Sequence, residues 1–231
     1  MLRRFEVYAL RPDAPVERVR DLEAACRQCG RFIPEVIDGA VGTNLSDAPV
    51  DLVWEHAFAD AAAYRRYMVH PYHVVVLDRY LLADSPERVV ADDTLGAGLV
   101  GYTCEQPSYR TDDGVRRLVL LQLDRGADPD TVDRLRIDLE STAHRHAEAS
   151  LSVMAPNSLG ACWFDGEHPV GPPPRWTHVW EQAFAHLAAF DAYRADATVF
   201  AGADAGAWAT WSAGLVRRVA EVFYERQLGS I

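Results

Sequence analysis

The sequence predicts an α+β fold in which two ferredoxin-like β-α-β-β-α-β units, duplicated in tandem, close on each other as an intramolecular α+β barrel. The first observation is a repeat: "VWEHAFADAAAYRRYM" (53–68) and "VWEQAFAHLAAFDAYR" (179–194) are identical at nine of sixteen positions with a constant offset of 126. That offset is about half the 231-residue chain and signals one duplicated domain. The second is that strand-period and helix-period segments follow in the same order in both halves. The third is the copy number, too small for a solenoid, so the halves should face each other like subunits of a two-fold dimer.

In the first half, residues 1–98, "RRFEVYAL" reads as a strand and "PVERVRDLEAACRQCGRF" has a helical apolar period ending near Gly30. "EVIDGAVGTN" and "DLVWEHAFA" read as a strand pair, "DAAAYRRYMVHPYHVVVLDRYLL" as helix broken at Pro71, and "ERVVADD" as a closing strand. Residues 99–114 are rich in Gly and turn formers and read as a linker with a possible short strand at "LVGYT". In the second half, residues 115–231, the same series is "RRLVLLQLD", a helix over "DTVDRLRIDLESTAHRHAEA", strands at "SLSVMAPNSLGACWF" and "WTHVWEQAFA", a helical region over 186–213 and a last strand "RRVAEVFYERQ". The loop "DGEHPVGPPPRW" separates the two middle strands. Each unit would carry two helices on one face of its sheet and leave the other face apolar, and two such faces can bury each other. The protein would then be a monomeric pseudo-dimer or a homodimer.

With 23 basic and 34 acidic residues the formal charge is −11, a field that repels phosphate backbones and anionic headgroups. Nucleic acid and membranes are therefore not expected as partners. No apolar run reaches the roughly 18 residues needed to span a bilayer, and the start lacks a cleavable leader, so a cytoplasmic location is expected. Cys26, Cys29, Cys104 and Cys162 do not form a secreted disulfide framework, and "CRQC" within a helix reads as reduced structural thiols rather than half a zinc site.

The chemistry concentrates in "YMVHPYHVVVLDRY" (67–80). Pro71 cannot continue a helical ladder and suits the first position of a new helix, which places His73 in a first turn where the dipole keeps its ring neutral. On the third strand Leu52, Trp54, His56 and Phe58 share one face and Val53, Glu55 and Ala57 the other. If the bulky face meets the helices, Trp54, His56 and Phe58 join Tyr67 and His73 around one site. Glu55 and Glu181 then point between the sheets toward Arg or backbone donors. A helix cap by Tyr67 and His70 competes with a functional role for them. A metal site from His56, His70 and His73 lacks a carboxylate or thiolate at suitable spacing. His144 and His146, near a helix end, read as surface residues.

These residues, "VWEHAF" and then "YRRYMVHPYH", resemble the stress-responsive A/B barrel (Dabb) family of the dimeric α+β barrel superfamily. The first half is similar to the olivetolic acid cyclase-like polyketide cyclases of that family. The resemblance implies a Tyr–His catalytic pair at Tyr67 and His73, with His56 as the alternative base. It places the counterparts of the third-strand histidine and the tyrosine in the second half at His178 and Tyr193, while strand alternation adds Trp54 and Phe58, and Trp180 in the second half, as pocket wall; Phe5, Val7 and His70 complete the expected substrate contacts. Phe5 and Leu52 stand where those cyclases carry pocket histidines, and Asp196 and Val199 replace the two histidines of the motif in the second half, which reads as degenerate. The activity implied by the resemblance is that of a cofactor-independent, metal-free enzyme of secondary metabolism, a cyclase or lyase that closes a poly-β-keto chain by aldol or Claisen chemistry on a small hydrophobic ligand. The alternatives are a cofactor-free monooxygenase of aromatic polyketides and a non-catalytic stress-responsive or ligand-binding barrel. A heme role fits less well because no proximal ligand stands out.

Overall fold

In the computed structural model, residues 1–91, 98–104, 114–146, 148–159, 163–165, 168–170, 175–195 and 215–228 are described. The chain runs β1 (Leu2–Tyr8), α1 (Val16–Arg27), α2 (Cys29–Phe32), β2 (Val36–Thr43), β3 (Leu52–Phe58) and α3 (Ala61–Met68), then a π-helical turn (Tyr72–Leu77), α4 (Asp78–Leu81) and β4 (Leu99–Thr103). The second half gives β5 (Val115–Leu123), α5 (Pro129–Arg145), β6 (Ala149–Pro156), β7 (Trp163–Asp165), β8 (His168–Val170), β9 (His178–Phe184), α6 (Leu187–Ala195), β10 (Val216–Glu225) and β11 (Gln227–Leu228).

Two antiparallel sheets result, in the orders β11-β2-β3-β1-β4 and β10-β5-β9-β6, so the α+β tandem ferredoxin-like expectation holds. The repeat is visible in the register: β1 pairs β3 with Arg4 opposite His56, and β5 pairs β9 with Arg117 opposite Gln182. The last strand crosses over, because β11 leaves the second sheet and pairs with β2 of the first.

Alternation along β1 and β3 sorts their side chains. Leu2, Tyr8, Leu52, Trp54 and Phe58 pack under the helices with Tyr64, Tyr67 and Leu77. Phe5, Val7 and Val53 pack against Leu118, Leu120, Val179 and Val222 of the second sheet. Between the sheets lie fully buried ions. Arg3 pairs with Glu181 at 2.6 Å, and Arg226 pairs with both Glu55 and Asp38. Glu55 and Glu181 thus occupy the inter-sheet face with Arg partners, as the alternation requires.

Three elements differ from expectation. The fourth strand of the first sheet is "LVGYT" rather than "ERVVADD", where Val90 forms only an isolated bridge to Leu10. The long strand expected over "SLSVMAPNSLGACWF" ends at Pro156, and Trp163–Asp165 instead forms a separate hairpin with β8. A proline at the strand end and Asn157, whose side chain holds Gly101 N, Leu99 O and Trp176 O, turn the chain away. The helix expected over 186–213 is described as Leu187–Ala195; its remainder, with Asp196 and Val199, lies outside the described residues, as does Cys162.

Candidate active site

The site is built on β1, β3 and the broken helix. α3 starts on Asp60, whose carboxylate accepts from Ala63 N at 2.8 Å, and stops at Met68. Pro71 opens the next segment with helical angles (φ −53°, ψ −38°) and a π-helical turn succeeds it, a geometry that interrupts the regular ladder and re-aims side chains. His70 closes the break: its Nδ1 accepts from Tyr72 N at 3.1 Å and its carbonyl accepts from Val74 N at 3.0 Å. His70 is therefore a helix cap, and among the described residues no side-chain contact carries it into the cluster around Tyr67.

That cluster consists of Tyr67, His73, His56, Trp54 and Phe58. The Tyr67 ring centroid lies 4.5 Å from His73, 5.3 Å from His56, 5.0 Å from Phe58 and 6.4 Å from Trp54, mostly edge to face. All five side chains are buried, His73 the most accessible at 4 %. The helix break therefore does bring the phenol and both imidazoles together.

Arg4 and Glu6, on the same face of β1 as Tyr8, complete the cluster and were missed in the sequence. They form a buried ion pair, and the Arg4 guanidinium lies 5.1 Å from the Trp54 ring and 5.7 Å from the Tyr67 ring. The signal was present: in the strand "LRRFEVY" with both faces buried, charges two apart lie on one face and must pair. Phe5 and Val7, expected as substrate contacts, are corrected to the inter-sheet core, because β1 directs its even-numbered residues to the helices. Asp78 was also missed; its Oδ1 lies 3.7 Å from His73 Nδ1.

Both imidazoles are held in the neutral form by burial and a nearby cation. Burial, then the Arg4 charge and then His70 push His73 down to about 3, against a smaller opposing pull from the Met68 backbone. Burial and Arg4 hold His56 well below its ordinary value. Burial raises the Tyr67 phenol well above 10 despite the nearby Arg4. Burial and Glu6 lift the Asp78 carboxyl to about 7. Burial pushes the Cys29 thiol up to about 12 against smaller opposing pulls from the Arg4 charge and the Tyr67 hydroxyl, for which a thiol is at most a weak partner, so Cys29 and its neighbour Cys26 are inert core thiols.

The polar atoms at the centre lack partners. Both ring nitrogens of His56, Nδ1 of His73, Oη of Tyr67, Nε1 of Trp54, and Nε and Nη1 of Arg4 are buried without a hydrogen bond. Each such atom costs about 1–3 kcal/mol if left so, and a concentration of them calls for an explanation, such as bound water, an ion or another molecule.

The second half fills the same positions differently. Arg117 lies 4.8 Å from the Trp180 ring, as Arg4 lies over Trp54, but Arg117 donates to Glu221 and to Gln182 at 2.8 Å each. Gln182, in the place of His56, donates to Tyr193 Oη at 2.9 Å, and Trp180 Nε1 donates to Ser152 Oγ at 2.9 Å. Trp180 and Tyr193 are thereby tied into a structural network. His178 lies at the start of β9, with Nδ1 3.0 Å from Thr177 Oγ1 and its pKa lowered by burial. His146, expected on the surface, is 8 % exposed and packs edge-on against Tyr193 at 5.6 Å. It stands just after the last turn of α5. The side chain of His144 lies outside the described residues.

Comparison with known proteins agrees with this architecture. An anthrone oxidase-like protein superposes with a TM-score of 0.56 at 11 % identity, covering 98 % of this chain and 91 % of that one. A variant chlorite dismutase from Candidatus Nitrospira defluvii gives 0.55 at 11 % identity, covering 98 % and 90 %. A protein from Lactobacillus acidophilus NCFM with a provisional monooxygenase assignment gives 0.53 at 10 %, covering 99 % and 95 %. These likenesses show a shared fold over the whole duplicated chain. A search of the curated proteins finds no match. Residues 2–94 match the stress responsive A/B barrel domain.

Proposed function

We propose that the first half houses a cofactor-independent acid–base site that enolises a small, hydrophobic, polyketide-like carbonyl substrate and directs the enolate into aldol or Claisen ring closure. One observation supports this above the others. At matching positions of the two repeats, the polar atoms of Trp180, Gln182 and Tyr193 are hydrogen-bonded, whereas those of Trp54, His56 and Tyr67 are not. A fold that can satisfy the site internally in one half leaves it unsatisfied in the other.

The chemistry is set by the protonation states. A neutral imidazole, His73 or its neighbour His56, accepts the acidic C–H proton, while the protonated Tyr67 phenol donates a hydrogen bond to the oxygen on which charge develops. Trp54, Phe58 and Tyr64 pack closed around the pair in this structure, so a substrate enters by their parting, and they then form the aromatic wall that holds a flexible chain folded and makes reaction effectively unimolecular.

A second reading, a cofactor-free monooxygenase of aromatic polyketides, uses the same steps as far as the anion and differs in the electrophile, molecular oxygen. The all-aromatic wall of planar rings favours it for a fused-ring substrate. The test is to give the purified protein a 3,5-dioxo-acyl substrate and an anthrone, tracking product by chromatography and oxygen with an electrode. Ring closure without oxygen uptake, lost in His73→Ala and Tyr67→Phe, is expected. Oxygen uptake with the anthrone alone selects the second reading, and undiminished turnover in both variants removes the pair from either mechanism.

A further inference from the structure

We propose that Arg4 is a catalytic residue that receives the oxygen of a 1,3-dicarbonyl substrate and holds that substrate as its planar enolate. The inference rests on the acid–base reading above and adds the group that takes the negative charge.

The second half supplies the template. There Arg117 donates through Nη1 to the Gln182 amide oxygen and through Nε to Glu221, and the same amide donates through Nε2 to Tyr193 Oη. A planar amide thus bridges guanidinium and phenol. In the first half His56 takes the place of Gln182 and hydrogen-bonds to neither. Arg4 Nε and Nη1, the same two nitrogens that Arg117 uses, have no acceptor, while Nη2 is engaged by Glu6. Tyr67 Oη is likewise without a partner, and Arg4, His56 and Tyr67 are at most 3 % exposed. A flat group offering oxygens to Arg4 and Tyr67 restores here what the amide achieves in the other repeat. The O–C–C–C–O unit of a 1,3-dicarbonyl is such a group.

Charge balance separates this substrate from a resident carboxylate. Arg4 is already neutralised by Glu6, so a ligand that enters as an anion leaves a net negative charge in a dry site. A dicarbonyl enters neutral. Its C–H bond breaks, the proton passes to the imidazole lone pair, the electron pair moves onto oxygen, and the site keeps its net charge. The imidazolium and the enolate form together, with Arg4 and Tyr67 donating to the oxygens.

The experiment uses 1-phenylbutane-1,3-dione, whose enolate absorbs differently from its enol, titrated against the whole chain by ultraviolet difference spectroscopy at a series of pH values. The protein is expected to lower the apparent pKa of the bound diketone by at least about one unit, equivalent to roughly tenfold tighter binding of the enolate. The double variant Arg4→Gln with Glu6→Gln leaves no buried charge unpaired, and its fold is checked by circular dichroism. It should bind the diketone with no such shift, and Arg4→Lys should retain part of it. A double variant that is folded and shifts the ligand as far as the wild type, a wild type that shifts nothing, or benzoate binding more tightly than the diketone would each overturn the proposal. His73→Ala keeps His56 as a proton acceptor, so it should retain an Arg4-dependent shift even where its turnover falls. Arg4-dependent enolate binding together with undiminished turnover in His73→Ala and Tyr67→Phe would remove the His73–Tyr67 pair from the mechanism and leave Arg4 in place.

Discussion

Tyr224 donates its hydroxyl hydrogen to Glu55 Oε2 at 2.7 Å across the two halves, and Tyr102 makes the mirrored bond to Glu181 at 2.7 Å. Such reciprocity is what an isologous interface produces, retained here within one chain. Burial alone would raise Glu55, but Arg226, Arg3 and Arg116 outweigh it and hold the carboxyl at about 2. Arg226→Met therefore leaves Glu55 and Asp38 facing a buried gap and should cost about 3–5 kcal/mol in urea denaturation. Because the folded pKa lies below the unfolded value of about 4.5, this stabilisation is complete above pH 4.5 and declines as pH falls toward 2. Glu55→Gln should be less stable than the wild type near pH 7 and lose less on acidification; equal losses in both would assign acid unfolding to other groups.

The architecture could be read from the chain because it rests on periodicities. Alternation over "LVWEHAF" sent Trp54, His56 and Phe58 to the helices and Glu55 to the other sheet, and the repeat carried the same assignment to Glu181. The site was legible only in part. Tyr67 and His73 follow from the proline break and the Arg4–Glu6 pair from charges two apart on one strand, but the approach of Arg4 to Trp54 and Tyr67 joins separate elements, and that of Asp78 to His73 depends on a π-helical turn that the sequence pattern does not announce. His73 is neutral because Arg4 is near and water is excluded, quantities that depend on packing. His146 shows the same limit from the other side: a helix end reads as exposed until Tyr193 of a distant helix packs against it.

The contrast between repeats gives a stability prediction. Tyr193→Phe removes the acceptor of the Gln182 amide and should cost about 1–3 kcal/mol in chemical denaturation. Tyr67→Phe removes a buried hydroxyl without a partner and should be neutral or slightly stabilising. Similar losses in the two variants would mean that the Tyr67 hydroxyl is structurally engaged, and the unsatisfied first-half site would lose its main support.

Gly39 stands opposite His56 in the β2–β3 register, and a Cβ placed there would meet His56 Cδ2 at 2.9 Å. The ring or the strand must then shift, an overpacking cost of about 1–3 kcal/mol. Gly39→Ala should displace the imidazole and lower turnover far more than the stability loss explains. Unchanged turnover would place His56 outside the reaction and leave His73 as the base.

Asp78 sets the last expectation, a pH dependence. Burial and Glu6 raise its folded pKa to about 7 from an unfolded value of about 3.8, so its contribution to stability is complete below pH 3.8 and is lost as pH rises through 7. Asp78→Asn should match the wild type in acid and exceed it in stability at pH 8. Catalysis should respond in the opposite sense. Once ionised, the carboxylate 3.7 Å from His73 Nδ1 favours the imidazolium and strengthens the base, so turnover should climb along a limb centred near pH 7. In Asp78→Asn that limb should vanish and leave a flat, lower rate. If it persists unchanged in the variant, another group controls the imidazole, and the proximity of Asp78 to His73 is a matter of packing alone.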